Sequence, residues 1–554
     1  MTFTIQTSNS IGTGVRLNLA TSGDDLLIVE GVTVSSTNST GVTGSADGVT
    51  LTVDGHLSGG SRAVSTSGED TVVTIGATGS VYSANSGTSF GGIYMSGEKS
   101  NLINYGSVTT PTGTAIMTRA GQSQIENHGV ISGKGGVFLG LFDDGPDHTL
   151  INGGTINASI HTQAVTTARY NNGVFSEARN TTVINLDDGV ITANATHGAG
   201  IRIDYEESGS GINSVDGAKV FNYGTVAASQ FVAVYFEGEA GAVMRLKNFG
   251  TLTGAEGAFR GNEEVDILRN GGLMEGDVLL GRGDDIFDGR GGIVDGTVYG
   301  GFGDDTYYVS ESDVILMEFM PTISGTELND TVVARTDWVL GDNFEHLELI
   351  GGGDWKGAGN SADNTITGNS GVNELVGNGG ADHLKGAGGG DAMDGNGGDD
   401  ILFGGGGGDT MRGGGAVDAV NGDGGDDILR GGRGDDALNG AADDDILFGG
   451  EGRDTLTGGS GSDTFMFTRA GHSTNIAADV ILDFEQGLDL IDLSRLPGDL
   501  TFITGGFTGS AGEVRITGGG GNAAIRIDID GDASVDMKID LTGVSGLGAE
   551  DLVL

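Results

Sequence analysis

Ten aspartates recur at intervals of nine residues: Asp382, Asp391, Asp400, Asp409, Asp418, Asp427, Asp436, Asp445, Asp454 and Asp463. Carboxylates at a fixed spacing, each close to several glycine carbonyls, are a supply of oxygen ligands. Calcium accepts six to eight such ligands in loose geometry, whereas magnesium demands a stricter octahedron and keeps its water. Zinc prefers histidine or thiolate, and this stretch holds only His383 and no cysteine. The chemistry on offer is the binding of several Ca2+ ions. Two earlier stretches, "LGRGDDIFD" at 280–288 and "GGFGDDTYY" at 300–308, place Asp285 and Asp305 in the same context.

A repeating element must position these groups. From Gly359 to Met466 the chain reads as twelve nonapeptides without insertion or deletion. Each begins with glycine, carries Asn364, Asn373 or one of the ten aspartates at its sixth position, and has an apolar eighth residue such as Ile366, Leu375, Met393, Val420 or Phe465. Glycine permits positive φ, so the first six residues suit a tight turn. The last three alternate polar–apolar–polar, as a short strand with one buried side chain does. Two units make a coil of eighteen residues, and stacked coils lie about 4.8 Å apart. Asp382, Asp400, Asp418, Asp436 and Asp454 then form one column, and Asp391, Asp409, Asp427, Asp445 and Asp463 the other. Like charges at that distance repel by about 1 kcal/mol in water and about 3.5 kcal/mol at an effective dielectric of 20. The columns therefore call for a cation. Without one, the acidic composition permits a disordered, solvated linker.

This array resembles the calcium-binding nonapeptide repeats of RTX proteins, which fold as a parallel β-roll. The resemblance implies that the aspartates named above, with Asp285 and Asp305, hold calcium together with turn carbonyls. Asn364 and Asn373 lack the charge, which marks the first two turns as weak. Position four is glycine except at Ala362, Ala416 and Asp443, so the turns at 413–421 and 440–448 are weak candidates too.

The whole chain has 554 residues, 77 acidic against 27 basic, and a formal net charge of −50. That charge excludes nucleic acid as a partner and favours divalent cations. There are 109 glycines, 4 prolines and no cysteine, so disulfide staples are excluded. No apolar run is long enough to span a membrane. The first thirty residues lack a basic start followed by an apolar core, so no cleavable signal peptide is visible. The segment 467–554, with "DFEQGLDLIDLS" at 483–494, "DIDGDASVDMKIDLTG" at 528–543 and the final "AEDLVL", resembles the end of serralysin-type secreted proteins. That resemblance implies an uncleaved C-terminal signal read by a type I exporter of a Gram-negative bacterium, and an extracellular location. Asp528, Asp530, Asp532 and Asp536 offer one further cation site, although Ile539 stands where an EF-hand places glutamate.

Residues 1–275 follow a second period. "LINYGSVTT" at 102–110, "IENHGVISG" at 125–133, "LINGGTINA" at 150–158, "VFNYGTVAA" at 220–228 and "LKNFGTLTG" at 246–254 share apolar-x-Asn-x-Gly-x-apolar. Rungs of 22 to 27 residues with short alternating strands predict a right-handed parallel β-helix, with an antiparallel sandwich array as the alternative. The asparagines suit left-handed turns and a stacked amide ladder. The fold class expected is all-β: this β-helix, short RTX units at 276–309, a lead-in of a few longer strands at 310–358, the β-roll at 359–466, and a C-terminal β cap at 467–554.

No catalytic motif stands out. There is no HExxH, and "GTSFG" at 87–91 matches a nucleophile elbow in the wrong structural setting. Glu98, Arg119, Asp143, Asp144, Asp204, Tyr205, Glu206, Tyr235 and Glu237 would line one face if rungs stack in register. Acids with tyrosine and arginine are what a uronan lyase or epimerase needs. A β-helix joined to RTX repeats also resembles alginate C-5 epimerases, but "TVDG" at 52–55 and "IVDG" at 293–296 lack the tyrosine of their motif. Two functions are open: a secreted calcium-binding protein of a surface, matrix or adhesive kind, with extracellular polysaccharide or cell surface as partner, and a polysaccharide-modifying enzyme.

Overall fold

The computed structural model describes residues 3–6, 8–12, 17–84, 90–119, 121–139, 148–158, 174–176, 181–194, 198–205, 217–238, 243–318, 329–518, 521–544 and 546–554. They form two compact units, one of residues 1–308 and 313–326, the other of residues 309–312 and 327–554.

The first unit is a parallel β-solenoid with three strands per rung. Asn101–Asn104, Ser107–Thr109 and Thr114–Thr118 make one rung; Gln124–Asn127, Val130–Gly133 and Gly135–Leu139 make the next. Leu102 pairs in register with Ile125, Val108 with Ile131 and Ile116 with Val137, all parallel. This rules out the antiparallel sandwich. These six side chains are buried, so each sheet contributes one apolar column to the core.

The asparagine of the repeat ends the first strand of each rung and points inward. The amide Nδ2 of Asn104 donates to Asn127 Oδ1 at 2.7 Å, and the chain of bonds continues through Asn152, Asn185, Asn222 and Asn248 to Asn270. All seven are fully buried. The amide ladder is thus present, but the expected left-handed turn is not: none of these asparagines has positive φ. Extended backbone puts the amide inside, where neighbouring rungs and the carbonyl of its own turn, as at Gly154 and Gly189, satisfy it. The glycine two residues later is set by close approach. A Cβ on Gly129 would lie 2.1 Å from the carbonyl oxygen of Gly106.

The second unit stacks two strands per coil on an eighteen-residue register. Leu402 pairs with Val420 and Val420 with Leu438 on one sheet; Met411 pairs with Leu429 and Leu429 with Leu447 on the other. Every eighth-position residue from Ile366 to Phe465 is buried. Strands are longer than expected, six residues rather than three, as in Ile401–Gly406. They run through the opening glycines of the following unit, because Gly405 and Gly406 also pair in register. Two residues per unit are left-handed, at positions two and four, in the ten units from Gly377 onward; the first two units have neither. Position two accepts Asn378, Asn396 and Asp423 as well as glycine.

Within 310–358 the strands are short rather than long. Thr331–Ala334 pairs in parallel with His346–Leu349, which pairs with Thr365–Thr367, so this stretch is already solenoid. At the other end, Glu513–Gly518, Asn522–Asp528 and Met537–Thr542 form an antiparallel sheet. Its last strand joins Asp479–Ile481, and Leu552–Val553 pairs with Leu490–Asp492.

Candidate metal centre

Every sixth-position carboxylate in the second unit has the same surroundings. Its Oδ1 accepts the backbone N–H of the residue eighteen positions earlier: Asp382 N–H to Asp400 Oδ1 at 2.8 Å, Asp400 to Asp418 at 2.9 Å, Asp418 to Asp436 at 2.9 Å, and Asp436 to Asp454 at 2.9 Å. The second column repeats this from Asp391 through Asp409, Asp427 and Asp445 to Asp463. Asp382 and Asp391 themselves accept from Asn364 and Asn373. The structure therefore brings all ten sequence-derived aspartates of the repeats into two continuous columns.

The other oxygen is the chemically informative one. In all ten residues Oδ2 is buried and has no hydrogen-bond partner. It faces the glycine that opens its own unit. A Cβ on Gly422 would lie 2.2 Å from Asp427 Oδ2 and 2.8 Å from the carbonyl oxygen of Gly440. The same cradle recurs at Gly377, Gly386, Gly395, Gly404, Gly431 and Gly440. A buried anionic oxygen beside a carbonyl of the next coil, with no N–H aimed at it, has the oxygen-donor chemistry that a hard cation takes.

The electrostatics agree with that geometry. Removal from water, opposed by the backbone N–H and reinforced by neighbouring carboxylates, pushes Asp418, Asp427, Asp436 and Asp445 up to about 7. Asp382, Asp409, Asp454 and Asp463 are raised to about 6. Asp391 and Asp400 are raised for the same first reason, burial. Ionised columns are costly here unless positive charge enters.

Two members escaped the sequence reading. Asp479 extends the first column, accepting from Asp454 N–H at 3.0 Å, with a buried and unpartnered Oδ2. Burial first, then Asp454, pushes it up to about 8. Asp489 extends the second column, accepting from Asp463 N–H at 3.0 Å, but its Oδ2 takes the N–H of Glu485 and the column closes there. The spacing jumps from 18 to 25 and 26 residues at these points. At the other end Asn360 N–H and Asn369 N–H occupy Oδ1 of Asn364 and Asn373.

The first-unit aspartates keep the ladder with an altered cradle, although a Cβ on Gly300 would still meet Asp305 Oδ2 at 2.3 Å. Asp266 N–H donates to Asp285 and Asp285 N–H to Asp305. Asp285 has buried Leu280 where a repeat has glycine, and burial pushes it up to about 10. At Gly300 the space is taken by Tyr307 and Glu318, which hydrogen-bond to each other. Asp266, absent from any nonapeptide, is a ladder member that the sequence did not reveal.

In the C-terminal segment, Asp528, Asp530 and Asp536 gather oxygens within 4.8 Å of one another, while Asp532 stays outside the group. Their oxygens are engaged: Asp528 accepts from Gly531 and Ala533, and Asp536 from Ile529 and Asp530. Among the described residues the uronate-type candidates fall on separate rungs. Glu98 and Arg119 follow the strands Phe90–Met95 and Thr114–Thr118, whereas Asp204 and Glu237 pair two strands beyond Gly135–Leu139 and Val174–Ser176. Glu237 forms an ion pair with Arg202. Asp143, Asp144, Glu206 and most of "GTSFG" lie outside the described residues.

Residues 361–554 match the family described as Peptidase M10 serralysin C terminal, and this part of the chain is an RTX-type domain of that kind. No curated protein matches the chain. Among solved structures the chain is similar to the AlgE6R2 subunit of the Azotobacter vinelandii mannuronan C5-epimerase, at 28% identity, covering 26% of this chain and 90% of that one with a TM-score of 0.22. It is also similar to the AlgE6R3 subunit, at 31% identity, covering 26% and 78% with a TM-score of 0.16.

Proposed function

We propose that this is a secreted calcium-binding protein whose second unit folds when calcium fills the two aspartate columns. The observation that carries this reading is the row of buried Oδ2 atoms, each unpartnered and each facing a glycine cradle. Asp382, Asp391, Asp400, Asp409, Asp418, Asp427, Asp436, Asp445, Asp454 and Asp463 would hold the ions, with Asp479 as an eleventh. Calcium, when bound, supplies the positive charge that lets adjacent carboxylates ionise side by side. Asn364 and Asn373 would leave the first turns metal-free, which suits them as a cap. Asp285 and Asp305 are weaker candidates, since Leu280 and the Tyr307–Glu318 pair fill the place of the cradle.

The serralysin-type match at 361–554 supports export through a type I system and an extracellular location. On this reading, the chain stays loose where calcium is scarce, passes the exporter unfolded, and orders outside, where sites of this class bind at about 10⁻⁴ to 10⁻³ M. The solenoid of the first unit is the part that would meet a surface or matrix. The experiment is a calcium titration of the metal-stripped full chain followed by circular dichroism. A cooperative gain in β-signal at millimolar calcium, not reproduced by equal magnesium, is expected. A flat response would overturn the reading.

A further inference from the structure

The chain is strongly acidic, yet one face of the first unit is basic. On the outward side of the asparagine-bearing sheet, register aligns Lys219 with Arg245, Phe221 with Lys247, Arg245 with Ile267 and Lys247 with Arg269. Arg269 aligns with Asp288, and Asp288 with Tyr308. Arg245, Lys247 and Arg269 border a shallow depression of about 200 Å³ floored by Ile267, Ile286 and Tyr308. Arg290 stacks over Tyr308 at 4.6 Å, and Lys247 lies 5.7 Å from the Phe221 ring. The single carboxylate among these outward positions is Asp288, shared by Arg269 at 3.5 Å and Arg290 at 2.8 Å. Among the described residues Lys247 has no carboxylate partner. Among the described residues Lys247, Arg269 and Arg290 stand against the single carboxylate Asp288, a local excess of positive charge in a protein of net charge −50.

We propose that this strip, from Lys219 to Tyr308, docks a linear carboxylated polysaccharide. Charge complementarity selects an anion, since cations line successive rungs of this strip while the chain as a whole is strongly acidic. Shape selects a thin chain. Five strands at about 4.8 Å spacing make a strip about 19 Å long, and two outward side-chain columns make it about 7 Å wide. A stable protein partner needs about 800 Å² on each side. Cations at successive rungs, interleaved with Phe221, Ile267 and Tyr308, offer ionic contacts to carboxylates and apolar contacts to sugar faces. The inference deepens the surface-interaction role proposed above and rests on it, but not on the calcium columns.

The test is binding of oligogalacturonates too short to gel, measured by calorimetry on the calcium-loaded full chain, with the fully methyl-esterified oligomer as the uncharged control. Binding of the acid form alone, weakened by salt, is expected. The double variant Lys247→Gln/Arg269→Gln should bind roughly two- to thirty-fold more weakly, with its calcium midpoint and circular dichroism unchanged. Equal binding by variant and parent, or no binding by either, would overturn the proposal. So would self-association of the parent that the double variant abolishes, since the strip would then serve a second copy. The calcium midpoint, read in the same samples, reports separately on the calcium reading.

Discussion

The backbone N–H of Asp400 donates to Oδ1 of Asp418, eighteen residues on, at 2.9 Å, while the second oxygen of Asp418 is buried with nothing to accept. On the proposed reading one carboxylate does two jobs: one oxygen holds the coils in register, and the other would meet the cation. Asparagine keeps the first job and loses the second. Replacing Asp418 and Asp427 by asparagine should leave the metal-free fold as stable or more stable, by about 1 kcal/mol for each repulsion relieved. It should raise the calcium midpoint by roughly an order of magnitude. Replacing Asp400, Asp409, Asp427 and Asp436 by alanine removes both jobs, and should destabilise the unit with and without metal. Parallel urea and calcium titrations of the two variant sets separate these outcomes.

The glycine cradle makes a spatial claim. Gly422→Ala places a methyl group 2.2 Å from Asp427 Oδ2, whereas a Cβ on Gly406 meets nothing within 4 Å at an ordinary φ. Gly422→Ala should cost about 1–3 kcal/mol in the calcium-loaded state. Gly406→Ala should be neutral or gain about 0.4–1 kcal/mol through the unfolded chain. Equal effects in thermal unfolding would show that the cradle is not a binding space.

Left-handed backbone at Ala416 (φ 94°) and Asp443 (φ 78°) identifies two strained turns. An L-residue there costs about 1–2 kcal/mol relative to glycine. Ala416→Gly and Asp443→Gly should each raise the calcium-loaded unfolding midpoint, measured by calorimetry, and neither should add an ion to the stoichiometry.

Acid and base should act oppositely on the metal-free and calcium-loaded protein. Unfolded aspartate titrates near 3.9, whereas Asp418, Asp427, Asp436 and Asp445 are pushed up to about 7 by burial and neighbouring carboxylates. The fold holds these protons more tightly than the unfolded chain does. Its stabilisation by them is complete below about pH 4 and is lost as pH rises through about 7. Calcium needs the ionised form, so its midpoint should fall over the same range. Urea unfolding of metal-stripped protein at pH 5 and pH 8, with calcium titrations at both, reads the two slopes. Metal-free stability that rises with pH would contradict the assignment of burial as the cause.

The asparagine ladder ties seven rungs of the first unit together. Asn222 both accepts from Asn185 and donates to Asn248, while the Oδ1 of Asn104, beside Ile75, has no partner. Asn222→Leu strands the buried Oδ1 of Asn248 and leaves Asn185 Nδ2 only its bonds to the carbonyls of Gly189 and Thr225, and should cost about 1–3 kcal/mol. Asn104→Leu should cost less. Equal costs in chemical unfolding would count against a cooperative ladder.

Both columns were legible because nine residues and a β coil are commensurate: Asp382 to Asp463 stay in phase without insertion. Asp479 and Asp489 were not, because loops of irregular length move them to spacings of 25 and 26 while backbone pairing keeps them in line. Left-handed position two was masked by chemistry, since Asn378, Ala387 and Asp423 stand where other units have glycine. The Asn-x-Gly repeat announced the ladder, yet its backbone conformation followed from inward packing rather than from asparagine's turn preference. Lys219, Arg245, Lys247 and Arg269 are scattered in sequence and become neighbours only through strand register.

Hydrogen exchange of the full chain in millimolar calcium and after metal stripping tests the central claim most directly. Amides of strands from Glu374–Gly379 to Thr455–Ser460 should be protected with calcium and exchange freely without it, magnesium failing to substitute, while Gln124–Asn127 and Lys219–Asn222 stay protected throughout. Equal protection of the repeat strands in the stripped protein would contradict a metal-locked solenoid.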